Sequence, residues 1–282
     1  MPPPVALVAD STADLDPAFR VEHGITTVPL RLIFGDEELI DGVDIDAAGF
    51  YARMRQSDRN PRTSQPTPTE FEAAFRAAGA DGTPVLCTTM SSAMSGTYGA
   101  AMTAAQACTD LDVRVIDTLT VAIGHNAIVT ALVEARTAGA DAAGIERVAR
   151  DIISRQRSVF TLQTLEYLRR GGRIGGAQAL LGSVLNIKPV LQVLDGRIEP
   201  FDRVRTNQRA IDRIAEELLT ATADSGRKAR AVVAHSERGE EADRLADRVA
   251  DACAAPPTRT VIGPIVGCHA GPGVVGMSFH LV

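Results

Sequence analysis

The chain has 282 residues, 45% of them hydrophobic and 23% charged, which fits one large or two medium globular domains and excludes a disordered or fibrous protein. With 29 basic against 35 acidic residues the formal charge is -6, so the basic excess needed to track a phosphate backbone is missing and nucleic acid is not an expected partner. Cys87, Cys108, Cys253 and Cys268 show no C-x-x-C spacing, and the histidines do not fall at metal-ligand intervals beside them, so reduced thiols, no metal and no cofactor are expected.

In chain order, "VALVAD" (5–10) follows a start with no positive segment and is too short for a signal peptide, which predicts a cytoplasmic protein. No stretch approaches the ~20 apolar residues needed to span a bilayer, which leaves transient membrane contact at most. Strands are predicted at 4–9, 84–89, 113–118 and 229–235, and helices at 98–108, 124–138 and 144–156, the first with Tyr98, Met102, Ala105 and Cys108 on one face. Two hairpins interrupt the alternation, one over 28–40 around Gly35-Asp36 and one over 188–204 around Asp195-Gly196, a dipeptide suited to a type I′ turn. The expected fold is α/β in two domains. A largely parallel three-layer α/β/α domain covers 1–160, with a small hairpin insertion near 28–40, and a smaller mixed α+β domain covers 161–282.

Helix starts explain some of the polar clusters. Thr67-Pro68-Thr69-Glu70 fits a capping box with proline at the first helical position, and Ser11 to Asp14 fits a looser cap after the first strand. Thr63 and Ser64 are left over, as is most of the hydroxyl-rich loop 88–97 with Ser95 and Gly96. A strand end that turns into a helix start offers free N–H groups and a positive dipole end, and extra hydroxyls there suit a carboxylate or a phosphate. His269 adds an imidazole donor in a glycine- and proline-rich loop. Gly271, Gly273 and Gly276 spell G-x-G-x-x-G, but too few residues follow to build a dinucleotide fold.

These motifs together resemble the DegV family: Asp10-Ser11, "TSQPTP" (63–68), "SSAMSGTYGAA" (91–101), "LEYLRRGGRIG" (165–175), "LLGSVLNIKPVL" (180–191) and "HAGPGVVG" (269–276), in that order and at similar spacing. The resemblance implies a lipid-carrying subunit of a bacterial fatty acid kinase, a protein without turnover of its own. It would hold one long-chain fatty acid in an apolar tunnel and present the carboxylate to an ATP-binding kinase subunit. It further implies that Thr63, Ser64, Ser95 and Gly96 lie at the carboxylate, that Arg205 and His269 lie near the head group and assist phosphoryl transfer, and that Arg169, Arg170 and Arg173 contribute to docking the kinase. Met90, Met94, Ala101 and Met102 are candidates for the tunnel wall. The sequence departs from the family at Ala270, Ala93 and Thr118.

Two other readings stay open. One is a binding protein for another small anion. The other is a serine hydrolase, because Ser95, Asp117 and His269 occur in the Ser, Asp, His order, although the nucleophile elbow needs glycines where this chain has Ala93 and Thr97.

Overall fold

The computed structural model describes residues 5–57, 60–181 and 187–282, so residues 182–186 of the motif at 180–191 lie outside it. The first half runs β1 (Ala6–Asp10), α1 (Pro17–Glu22), β2 (Thr26–Val28), β3 (Arg31–Phe34), β4 (Glu37–Ile40), α2 (Ala47–Gln56), β5 (Arg62–Ser64), α3 (Pro68–Ala78), β6 (Val85–Thr89), α4 (Thr97–Ala107), β7 (Val113–Asp117), α5 (Ile123–Thr137) and α6 (Ala142–Arg155). The second half runs β8 (Arg157–Thr161), α7 (Glu166–Gly171), β9 (Lys188–Leu194), β10 (Arg197–Val204), α8 (Asn207–Ser225), β11 (Ala229–His235), α9 (Gly239–Val249), β12 (Thr258–Val261), α10 (Pro264–Ala270) and β13 (Val275–Leu281), with a 3₁₀ segment at Gly175–Leu180.

The fold is mixed α/β, built on three sheets. β2, β1, β6 and β7 form a parallel sheet in that order. Successive residues of β1 point to opposite faces, so Val8 packs with Phe71 and Phe75 of α3 and with the alanines of α4, while Leu7 and Ala9 pack with α5 and α6. This makes the expected three layers. The second sheet, β10-β9-β8-β13-β11-β12, is mixed and is the wider of the two, with six strands against four. α8 and α9 cover one of its faces. The third sheet, β4-β3-β5, is antiparallel and packs with α2 and α10.

Helix α5 joins the two main sheets. Nine of its residues, Ile123 to Val129, Leu132 and Val133, are buried, because Ile128 and Leu132 face the parallel sheet while Ile123 and Ala127 face the mixed one. A helix buried on two sides must lie between two layers, and each fully buried Ile or Leu contributes about 1.5–3 kcal/mol.

Local chemistry fixes two of the turns as expected. Asp195 (φ 48°) and Gly196 (φ 76°) both adopt the left-handed conformation of a type I′ turn between β9 and β10. Thr67 and Glu70 form the full capping box of α3. Ser11 behaves differently. The turn after β1 is a single 3₁₀ turn capped by Asp10, and the Ser11 hydroxyl instead accepts from Leu30 N–H.

Candidate functional site

A cavity of about 320 Å³ lies between the mixed sheet, α5, α10 and the loop after β6. Ile123, Phe160, Leu168, Val193, Ile198, Ile262, Ile265 and Val274 line it, which makes its walls largely apolar, and a few polar groups gather at one corner. Met90 and Met94 also line it. Met102 and Ala101 do not, because α4 turns Thr97, Ala100, Ala101 and Ala104 toward its own sheet and leaves Met102 half-buried at the side. A wider groove of about 750 Å³ runs beside α1 and β12. Asp14, Asp41, Arg55, Glu237 and Arg259 line that groove, and an apolar ligand would have to desolvate their charges.

The polar corner is assembled from four distant segments: Thr63 and Ser64 from β5, Ser95 from the loop before α4, Arg173 after α7, and His269 from the last turn of α10. The Thr63 hydroxyl and His269 Nε2 share a hydrogen bond of 2.8 Å. Ser95 Oγ lies 2.9 Å from Thr97 Oγ1 and accepts from Thr97 N–H, so it also starts α4, whose N-cap Gly96 has no side chain to do so. Two other hydroxyls of the loop are used in the fold. Thr88 bonds His125, and Ser91 donates to the Gly196 carbonyl, tying the loop to the β9–β10 turn. A Cβ at position 196 would collide with Ser91 Oγ, so glycine is needed there for contact as well as for φ.

Asp10 positions this loop from below. Its fully buried carboxylate accepts from Met90 N–H (2.6 Å), Thr12 N–H (2.9 Å) and the Thr12 hydroxyl (2.6 Å).

His269 lies in a helix, where its glycine- and proline-rich surroundings suggest a loop: Gly263-Pro264 starts α10 with proline at its first position. Its Nδ1 is buried without a partner among the described residues, and Gly171 lets the ring sit so close that any Cβ there would collide with it. Burial, and then the Arg173 guanidinium, hold the imidazole down at about 4, so the ring is neutral at pH 7. The unfolded ring binds a proton below about 6.5, whereas the folded ring resists protonation until about 4. This group's stability contribution is therefore full above 6.5 and falls away between 6.5 and 4. Stability measured from pH 4 to 8 is expected to fall less in His269→Gln than in wild type over that window. The difference isolates His269 from His280, also held at about 4, and from Asp41, which burial raises to about 6. Identical pH profiles would refute the assignment.

Three residues differ from the sequence reading. Arg173, read as a docking residue, lines the cavity, with Nε donating to the Met94 carbonyl (3.1 Å) and Nη1 to the Gly171 carbonyl (2.7 Å). Gly96 is not part of the wall; its bare Cα admits the Gln65 side chain, which does line the cavity and which the sequence reading passed over. Arg205 is also absent from the wall. β10 carries it seven residues past Ile198, about 23 Å along an extended strand, to an exposed corner before α8 where its guanidinium has no partner among the described residues. Arg169 and Arg170 both pair with Glu166 on the surface of α7.

The hydrolase triad is not assembled. Asp117 accepts from the backbone N–H groups of Ser92 and Leu119, His269 bonds Thr63, and Ser95 bonds Thr97. Among the described residues no group of three His, Cys, Asp or Glu side chains could hold a metal ion, and no helix is long and apolar enough to cross a membrane.

Known proteins resemble this chain in sequence and fold. A DegV domain-containing protein of Streptomyces coelicolor is 38% identical over 278 residues, 97% of each chain, and one of Deinococcus radiodurans is 38% identical over 98% of each. Among solved structures, a fatty-acid-binding DegV family protein of Thermus thermophilus superposes with a TM-score of 0.92 at 31% identity, covering 99% of this chain and 100% of that one. DegV of Bacillus subtilis, a fatty acid binding protein, gives 0.89 at 29%, with coverage of 99% and 100%. A stearic-acid-binding protein of Eubacterium ventriosum gives 0.86 at 26%, covering 98% of each. Residues 4–281 match the sequence profile of the DegV family, described as uncharacterised proteins, and with fold and sequence agreeing from end to end the chain belongs to that family.

Proposed function

We propose that the protein binds one long-chain fatty acid in the 320 Å³ cavity and presents its carboxylate to an ATP-binding kinase subunit for acyl-phosphate formation. The observation that carries this reading is the placement of Thr63, Ser95, Arg173 and His269 at one corner of a largely apolar cavity. Each methylene moved from water into such a cavity contributes about 0.8 kcal/mol, so the chain supplies affinity and the corner fixes orientation. Thr63 and Ser95 donate to the carboxylate, and the neutral His269 and the Arg173 cation stand beside it. The fatty acid binding stated for the Thermus and Bacillus proteins supports the same reading. Native mass spectrometry of the purified protein is expected to find one fatty acid per chain. An empty chain, or a bound anion that is not a lipid, would count against the proposal.

In the kinase step the negative charge that develops on the carboxylate needs fixed donors, and the nucleotide must come with the partner. His269 stands at the carboxylate; Arg205, exposed and without a charge partner among the described residues, suits an acidic patch on the kinase, and Arg169 and Arg170 on the surface of α7 offer a further docking element. His269→Ala and Arg205→Ala are expected to keep bound lipid yet lose most acyl-phosphate formation when mixed with a kinase subunit and ATP. Lipid occupancy and acyl-phosphate are measured side by side, and variants that arrive empty, or that turn over at the wild-type rate, would refute these roles.

A further inference from the structure

The His269 ring is held on two sides. Its Nε2 shares the 2.8 Å hydrogen bond with the Thr63 hydroxyl, and its Nδ1 faces Gly171 at the end of α7. A hydroxyl and a neutral imidazole can each donate or accept, so the bond alone leaves open which of them carries the shared proton. The contact with Gly171 decides it. A Cβ placed on that glycine would lie 2.2 Å from Nδ1, 3.1 Å from Cε1 and 3.3 Å from Cγ. These are the distances of a point outside the ring on the line along which an Nδ1 hydrogen projects; a point above the ring would lie nearer to both carbons. In glycine a C–H bond points toward that place, and an N–H meeting it end to end would bring two hydrogens into collision.

A proton on Nδ1 is also costly for want of a partner. Nδ1 is buried and has no hydrogen-bond partner among the described residues, so an N–H there would be a donor without an acceptor, whereas a bare nitrogen still meets the weakly polar C–H of the glycine. We infer that Gly171 fixes His269 as the Nε2–H tautomer, which makes the imidazole the donor and the Thr63 oxygen the acceptor of their bond. The Thr63 O–H is thereby left free at the cavity wall, where it donates to the ligand. His269 acts through Thr63 as a positioning residue, and Gly171 sets its tautomer. The inference rests on the fatty-acid reading of the cavity only in naming that ligand a carboxylate.

The test is long-range proton–nitrogen correlation NMR of the full chain, made with nitrogen-15 histidine, at pH 7; the signals lost in His269→Gln assign the ring. His269 is expected to show a bare Nδ1 and a protonated Nε2, and to keep that pattern in Thr63→Val, because the glycine and not the hydroxyl selects it. A protonated Nδ1 in wild type, or one that appears in Thr63→Val, would overturn the inference. Calorimetric titration with stearate reads the donor. Thr63→Val is expected to bind about tenfold or more weakly than wild type, and Thr63→Ser, which keeps the hydroxyl, to recover that loss. Equal affinity of the two variants would also overturn the inference. Wild type that shows the expected tautomer yet binds no stearate would instead overturn the fatty-acid reading, because the histidine signals report the tautomer whatever the ligand.

Discussion

Asp10→Ala is expected to lower folding stability by about 3–5 kcal/mol, the largest loss from any single side chain around the site. The carboxylate is fully buried and accepts three hydrogen bonds, from Met90 N–H, Thr12 N–H and the Thr12 hydroxyl. Removing it strands two backbone N–H groups where water cannot reach them, at about 1–3 kcal/mol each, and leaves a void between β1 and β6. A carboxylate suits this position because it accepts on both oxygens and donates on neither. Asp10→Asn is therefore also destabilising, since its amide nitrogen must face one of the N–H donors. Urea unfolding of wild type and both variants measures the effect, and unchanged midpoints would show that the three bonds contribute nothing net. Because Met90 opens the loop that carries Ser95, the folded fraction of Asp10→Ala is also expected to bind fatty acid more weakly than wild type.

Much of the fold was legible because it rests on short-range rules. The capping box at Thr67, the turn at Asp195-Gly196 and the apolar runs of β1, β6 and β11 each depend on a few neighbouring residues. What escaped depends on long-range contact. The phase of α4 was misjudged because its buried stripe is made of Thr97, Ala100, Ala101 and Ala104, small residues that let the helix lie close to β6 and α3, whereas the larger Tyr98 and Met102 draw the eye. α10 escaped because Gly263-Pro264 reads as a turn, although the same proline serves as the first residue of a helix. The hydroxyls Thr63 and Ser95 stood out as surplus to capping. Arg173 and Gln65 did not, because nothing near either in sequence shows that the chain folds back to bring them to the same cavity. Arg205 shows the converse, a residue next to a legible strand whose direction carries it away from the cavity.

Ser95→Ala is expected to weaken fatty acid binding by about 1.5–3 kcal/mol, roughly 10- to 150-fold, through the loss of one hydrogen bond to a charged carboxylate. Part of any stability change will come from the fold, because Ser95 Oγ also accepts from Thr97 N–H at the start of α4, so affinity must be measured on protein shown to be folded. Thr63→Val acts in the same direction by a second route. It removes a donor to the carboxylate and also the 2.8 Å partner of His269 Nε2, leaving that ring with neither nitrogen bonded. If both hydroxyls hold one carboxylate, the second loss finds a ligand that has already shifted, and the double variant falls short of the sum of the single effects. Titration of all four proteins with one fatty acid completes the cycle. A strictly additive double variant would place the two hydroxyls on separate parts of the ligand, and single variants with wild-type affinity would remove them from the clamp altogether.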